Sequence, residues 1–144
     1  MHRRLSLLFV VVAVAALFAS ACGSTSSSRP AGITAPEVSS DLVGTVFFGS
    51  GNTAPANIEV TVVNRAGVPI VLRRVEIDSP GMATYAIRRT TREFRETIAP
   101  GETKRVTVFT TAVTNVRSPS EPLTLRTIAD FEVGKDRWRE IVMR

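Results

Sequence analysis

Two pairs of carboxylates and one run of arginines have residue types and spacings that could do chemistry in this 144-residue chain. Asp130 and Glu132 lie two apart, as do Glu76 and Asp78. On an extended strand each pair shares a face. Paired carboxylates can move protons or bind a hard cation. Arg126, Arg137 and Arg139 are close enough in sequence to neutralise the first pair from a neighbouring strand, which makes a solvated, charge-balanced face the simpler reading. The arginine run is Arg73 and Arg74, followed by Arg88, Arg89, Arg92 and Arg95. If their strands share a sheet, the guanidiniums converge into a patch for an anionic polymer, a phospholipid surface or an acidic partner. Interleaved Glu76, Glu93 and Glu96 favour the plainer alternative, a charged face that keeps the domain soluble and guards its edge. A third candidate is the stretch 49–56, GSGNTAPA, since loops at one end of a domain often carry recognition; a plain connector is the simpler reading there too.

The missing groups narrow the chemistry further. The one histidine is His2 and the one cysteine is Cys22. Beyond residue 22 there is no imidazole to activate a serine or cysteine nucleophile, and no Cys/His set for zinc. We therefore expect no catalytic residues, no cofactor and no metal. The remote exception is a hydrolase that works with carboxylates alone. The formal charge is +5, from 18 Lys and Arg against 13 Asp and Glu, and loss of Arg3 and Arg4 would lower it to +3. So mild an excess does not suggest a nucleic-acid partner.

Period-2 alternation dominates the elements that must position these groups. Residues 42–48 alternate, and 58–62 alternate strictly, with Ile58, Val60 and Val62 on one face. The turn at Asn64-Arg65-Ala66-Gly67 is built from residues that tolerate positive φ. The next strand holds Ile70, Leu72, Val75 and Ile77, and its period slips at Arg73-Arg74, which predicts a β-bulge. Residues 82–90 read as a further strand, 92–98 as a strand or an irregular passage, and 112–122 as a loop. Strands around Val106 and Val108, over 123–131 and over 138–143 complete the pattern, with Gly134-Lys135 as a hairpin turn. No window of ten residues shows helical periodicity. Trp138 is expected in the core against Phe131 or Val106. Arg137 and Arg139 beside it also suit an exposed platform for sugars or acidic chains.

The N-terminal stretch is of another kind. Arg3 and Arg4 precede an apolar run over 5–18, and small residues follow. These are the three regions of a secretory signal peptide. The run is too short to span a bilayer, which needs about 20 apolar residues. Ala19-Ser20-Ala21-Cys22 resembles the lipobox of bacterial lipoproteins, with Ala19 where that family prefers Leu. The resemblance implies that Cys22 is acylated and becomes the first residue of the mature protein. The protein would then be held in the cell envelope, on the outer face of the plasma membrane or in the outer membrane. Gly23, in place of a retaining Asp, favours the outer membrane in a two-membrane cell. An ordinary signal peptide with a free Cys22 thiol is the alternative. Residues 23–40 are rich in Ser, Pro, Gly and Thr, the composition of a linker.

Seven or so short strands in about a hundred residues suit an immunoglobulin-like antiparallel β-sandwich. IEVTVVNRAGVPIVLRRVEI and TIAPGETKRVTVF resemble secreted Ig-like modules, although the Cys–Trp–Cys hallmark of antibody domains is absent. The expected organisation is a signal peptide over 1–21, a lipidated tether over 22–40 and an Ig-like domain over 41–144 that folds without disulfide or metal. The expected function is a lipid-anchored envelope protein presenting a non-catalytic binding or structural domain. An accessory subunit of a larger envelope assembly is the alternative. Its expected partners are the membrane, through Cys22, and an envelope protein or anionic polymer.

Overall fold

The structure, a computed structural model, describes residues 28–81, 85–114 and 123–144. Eight strands occur among them: β1 (Glu37–Val43), β2 (Thr53–Val63), β3 (Ile70–Asp78), β4 (Ala86–Ile87), β5 (Thr90–Ile98), β6 (Thr103–Val113), β7 (Arg126–Val133) and β8 (Asp136–Met143). They form two antiparallel sheets, ordered β1-β2-β6-β4 and β5-β3-β7-β8. This partition places the first, second and fifth long strands in one sheet with the short β4, and the third, fourth, sixth and seventh in the other, the two layers of a β-sandwich. Seven strands are long; the eighth, β4, has two residues.

Alternation decides which side chains meet between the sheets. In β2 the inward positions are Ala54, Ala56, Ile58, Val60 and Val62, all buried. Opposite them stand Ile70, Leu72, Val75 and Ile77 of β3, Ala129 and Phe131 of β7, and Trp138 of β8. β-Branched residues dominate, which suits packing on a pleated surface. Trp138 is 1 % exposed, and its ring stacks on Phe131 at 5.5 Å between centroids. The core expectation therefore holds, and the platform alternative does not.

The bulge also appears where the period slips. Leu72 faces Phe131 of β7 and Arg74 faces Asp130, so Arg73 is the additional residue. The Gly134-Lys135 hairpin joins Val133 to Asp136, with Gly134 at φ 59° supplying the left-handed turn residue.

Four expectations need correction. The first strand is not 42–48 but begins at Glu37, inside the stretch assigned to the tether, and Gly44 at φ 76° ends it. Its inward positions are Val38, Ser40 and Leu42, and the buried Ser40 hydroxyl accepts a hydrogen bond of 2.8 Å from Thr127. Polar composition concealed a strand with a real partner. The domain therefore starts before residue 41. The passage 92–98 belongs to a full strand, β5, and the strand expected over 82–90 reduces to β4 and the start of β5, with 82–84 outside the described residues. β6 runs on to Val113, into the expected loop, whose residues 115–122 are not described. Finally, Asn64 makes its turn without positive φ. Its side chain is buried and bonds the backbone instead.

Candidate functional site

The outer face of the β5-β3-β7-β8 sheet gathers most of the residues singled out above. Strand register alone opposes unlike charges there: Asp78 to Arg126, Arg74 to Asp130, Asp130 to Arg139, and Glu132 to Arg137. Arg139 donates to both oxygens of Asp130, at 2.7 and 3.3 Å. Arg74 Nε lies 3.1 Å from the same carboxylate. Glu132 accepts from Arg137 Nε at 2.8 Å and has Arg73 Nε at 3.7 Å. In a regular strand Arg73 and Arg74 would point to opposite faces. The bulge lets both reach carboxylates of this one face.

An open depression of about 290 Å³ lies over the bulge, bordered by Arg73, Arg74, Arg137 and Arg139 together with Asp130 and Glu93. Four guanidiniums meet Asp130, Glu132, Glu76 and Glu93 there, so the charge is close to balance. It is the guanidinium N–H groups left over from these pairs that an anionic group approaching from solvent would meet. Asp130 and Glu132 are each engaged by two arginines. Among the described residues no group of three or more His, Cys, Asp or Glu side chains is placed to hold a metal ion.

Asp78 anchors the other end of the face. It is 7 % exposed. Arg126 donates to both of its oxygens, at 2.8 and 2.5 Å, and Arg89 donates to Oδ2 at 3.2 and 3.3 Å. The hydrogen bond from Arg126 holds the Asp78 carboxyl below its ordinary range, opposed by burial and reinforced by Arg89. A carboxylate with a depressed folded-state pKa adds stability above its unfolded pKa, about 4, and that stability is lost as pH falls through the folded value. Asp78→Asn should cost about 2 kcal/mol at neutral pH, typical of hydrogen bonds to a charged group. It should also flatten the acid limb of the stability profile below about pH 4. Urea unfolding at pH 7 and pH 3 measures both; an equal loss at the two pH values would refute the ionic contribution.

The six arginines named from sequence do not form one patch. Arg73, Arg74 and Arg89 lie on this face and are paired with acids. Arg88, Arg92 and Arg95 are exposed along β5 and the residues before it, and make no ion pair among the described residues. The two groups separate because β5 is an edge strand whose register against β3 shifts between Leu72 and Arg74. Arg126 also pairs differently from the sequence reading, with Asp78 rather than Asp130 or Glu132. Only the topology could show this, since the two are 48 residues apart. The 49–56 stretch leads into β2 as a connector, with Ala54 and Ala56 buried. Cys22 lies outside the described residues.

Fold and surface together define a two-sheet antiparallel β-sandwich whose one outer face is laced with arginine–carboxylate pairs. No family model matches the chain, and no curated protein matches it. Among solved structures it is similar to a protein solved as a Northeast Structural Genomics Consortium target, with 11 % identity over 75 % of this chain and 80 % of that one and a TM-score of 0.50. This likeness supports the fold alone. Weaker matches are a protein from Archaeoglobus fulgidus, with 11 % identity over 75 % and 90 % of the two chains and a TM-score of 0.48, and a FixG-related protein from Vibrio parahaemolyticus, with 12 % identity over 77 % and 95 % and a TM-score of 0.40.

Proposed function

We propose that this protein is a lipid-anchored lipoprotein of the cell envelope that presents a non-catalytic Ig-like domain for binding or structural support. The carrying observation is Ala19-Ser20-Ala21-Cys22 at the end of a basic, then apolar, leader. A thioether-linked diacylglyceryl group supplies two chains, and two chains hold stably where one does not. The arginine-bordered depression over the bulge gives the domain a surface for an anionic envelope polymer. Exposed Arg88, Arg92 and Arg95 offer a second, separate set of cations along β5.

Radiolabelled palmitate should appear on the wild-type protein in membranes. In Cys22→Ala it should be lost completely, with uncleaved precursor accumulating. Wild-type protein that never takes up the label would overturn the anchor.

A second reading, an accessory subunit of a larger envelope assembly, is favoured by Phe47, which is 84 % exposed next to the half-buried Phe48. A large exposed aromatic is the kind of side chain that anchors protein contacts. A stoichiometric partner that co-purifies from solubilised membranes and is lost on Phe47→Ser would select this reading.

A further inference from the structure

The two sheets have four edges: three, formed by β1, β5 and β8, are blunted, and at the fourth the two-residue β4 covers only the end of β6. β5 carries Arg92, Glu93, Arg95 and Glu96 and an irregular register. β8 carries Asp136, Arg137 and Arg139 and is crossed by Arg29, which donates to Glu140 at 3.0 Å. β1 has seven residues, including Glu37 and Asp41, and Arg144 pairs with Asp41 across its flank. Charge, irregularity and covering are the usual protections against unwanted strand pairing.

β6 lacks them. One side pairs with β2 over its whole length, from Thr103↔Val63 to Val113↔Thr53, in unbroken register. On the other side only Ala112 and Val113 pair with β4, and Thr111 O accepts from Arg88 N at 2.9 Å. That bond fixes the direction of the rest. In an antiparallel strand the N–H and C=O of alternate residues point to the same side. Arg105, Thr107 and Phe109 therefore turn both groups away from β2, and among the described residues they meet no strand there. The stretch 103–110 is rich in Thr, Val and Phe. Lys104 is drawn to Glu96 at 2.8 Å, and Phe109 is 61 % exposed.

We infer that this edge pairs with the same edge of a second copy of the chain, antiparallel, about a two-fold axis at Thr107. The sequence is self-complementary in that register. Thr107 meets Thr107 of the second copy, and Arg105 meets Phe109 of the second copy, twice. This sets a guanidinium against an aromatic ring and opposes no like charges. On the inner side Val106 falls opposite Val108. Arg105, Thr107 and Phe109 all use their outward backbone groups, and the pairing stops at Thr111, where Arg88 already occupies the edge. Such an isologous contact closes as a dimer. The inference is independent of the lipid anchor and of the anion site.

The full chain, in density-matched detergent with micelles in large excess, should sediment as a reversible dimer at micromolar concentration. Thr107→Pro removes an N–H that makes no bond to β2, a position where an edge strand accepts proline. It should raise the dimer dissociation constant roughly tenfold or more while the β-type circular dichroism is kept. Phe109→Glu sets a carboxylate opposite Arg105 of the second copy, so the dimer should persist and become salt-sensitive. Adding Arg105→Glu to that variant opposes like charges and should abolish it. A wild-type chain that stays monomeric up to high micromolar concentration would overturn the inference, as would a dimer indifferent to Thr107→Pro, or an edge that cross-links only to a different protein.

Discussion

Trp138→Ala should lower the unfolding free energy by about 3–5 kcal/mol, the usual range for a large buried aromatic. Trp138 is the largest fully buried side chain and the only tryptophan. Its ring stacks on Phe131, directly opposite it across the β7–β8 ladder. Its indole N–H donates to Glu140 Oε1 at 3.1 Å, an atom that also accepts from Arg29. Truncation thus removes an aromatic pair, opens a cavity beneath an edge strand and deprives Glu140 of one donor. A domain of this size has a total stability of about 5–15 kcal/mol, so the loss is a large fraction. Trp138→Phe keeps most of the buried area and should cost markedly less. Denaturant unfolding provides the measurement. The native emission should be blue-shifted and poorly quenched by iodide, and a red, readily quenched emission would refute the packing described.

Asn64→Ala should cost roughly 3 kcal/mol, close to Trp138→Ala and well above an average surface change. The Asn64 side chain is fully buried. Its amide donates to Val68 O and Ile98 O, each at 2.9 Å, and its carbonyl accepts from Ala66 N at 2.8 Å. Its own backbone bonds Glu102 O and Gly101 N. One side chain thus ties the β2–β3 turn to the end of β5, and its backbone ties the same turn to the β5–β6 turn. Alanine leaves three backbone groups without that partner, and buried unpaired groups are expensive. Asn64→Asp is the informative companion. It keeps the acceptor for Ala66 but sets a carboxylate oxygen against two carbonyls, so it should be at least as damaging. Thermal unfolding of both variants tests this, and a near-neutral Asn64→Ala would refute the role.

These two residues show where sequence is legible and where it is not. Trp138 was readable because a large apolar side chain on an alternating face has few places to go. The bulge at Arg73-Arg74 was readable because a slip in a two-residue period has one simple cause. In sequence Asn64 shows only as a turn former, since nothing local reveals that its amide reaches Ile98, 34 residues on. The sequence hides β1 because its buried Ser40 looks like linker until Thr127 is brought beside it. β5 was ambiguous because an edge strand buries little: among its nine residues only Ile98 is buried. The arginines followed the same rule. Those paired within the β7–β8 hairpin, Arg137 and Arg139, were foreseeable, while Arg74 with Asp130 and Arg126 with Asp78 required the fold.

The early start of the domain changes how far it can stand from a membrane. With the lipid on Cys22, seven residue steps reach Arg29, a span of at most about 25 Å. The composition of 23–40 taken alone suggests a much longer leash. The catch at Arg29 is weak: its pair with Glu140 is 40 % and 23 % exposed on the two side chains, a kind of contact worth about 0–1 kcal/mol and screened by salt. Once it opens, the next hold is Ile33, packed against the core, at up to about 40 Å from the anchor. A domain lipidated at Cys22 would thus have two standoff heights, and ionic strength would shift the balance between them.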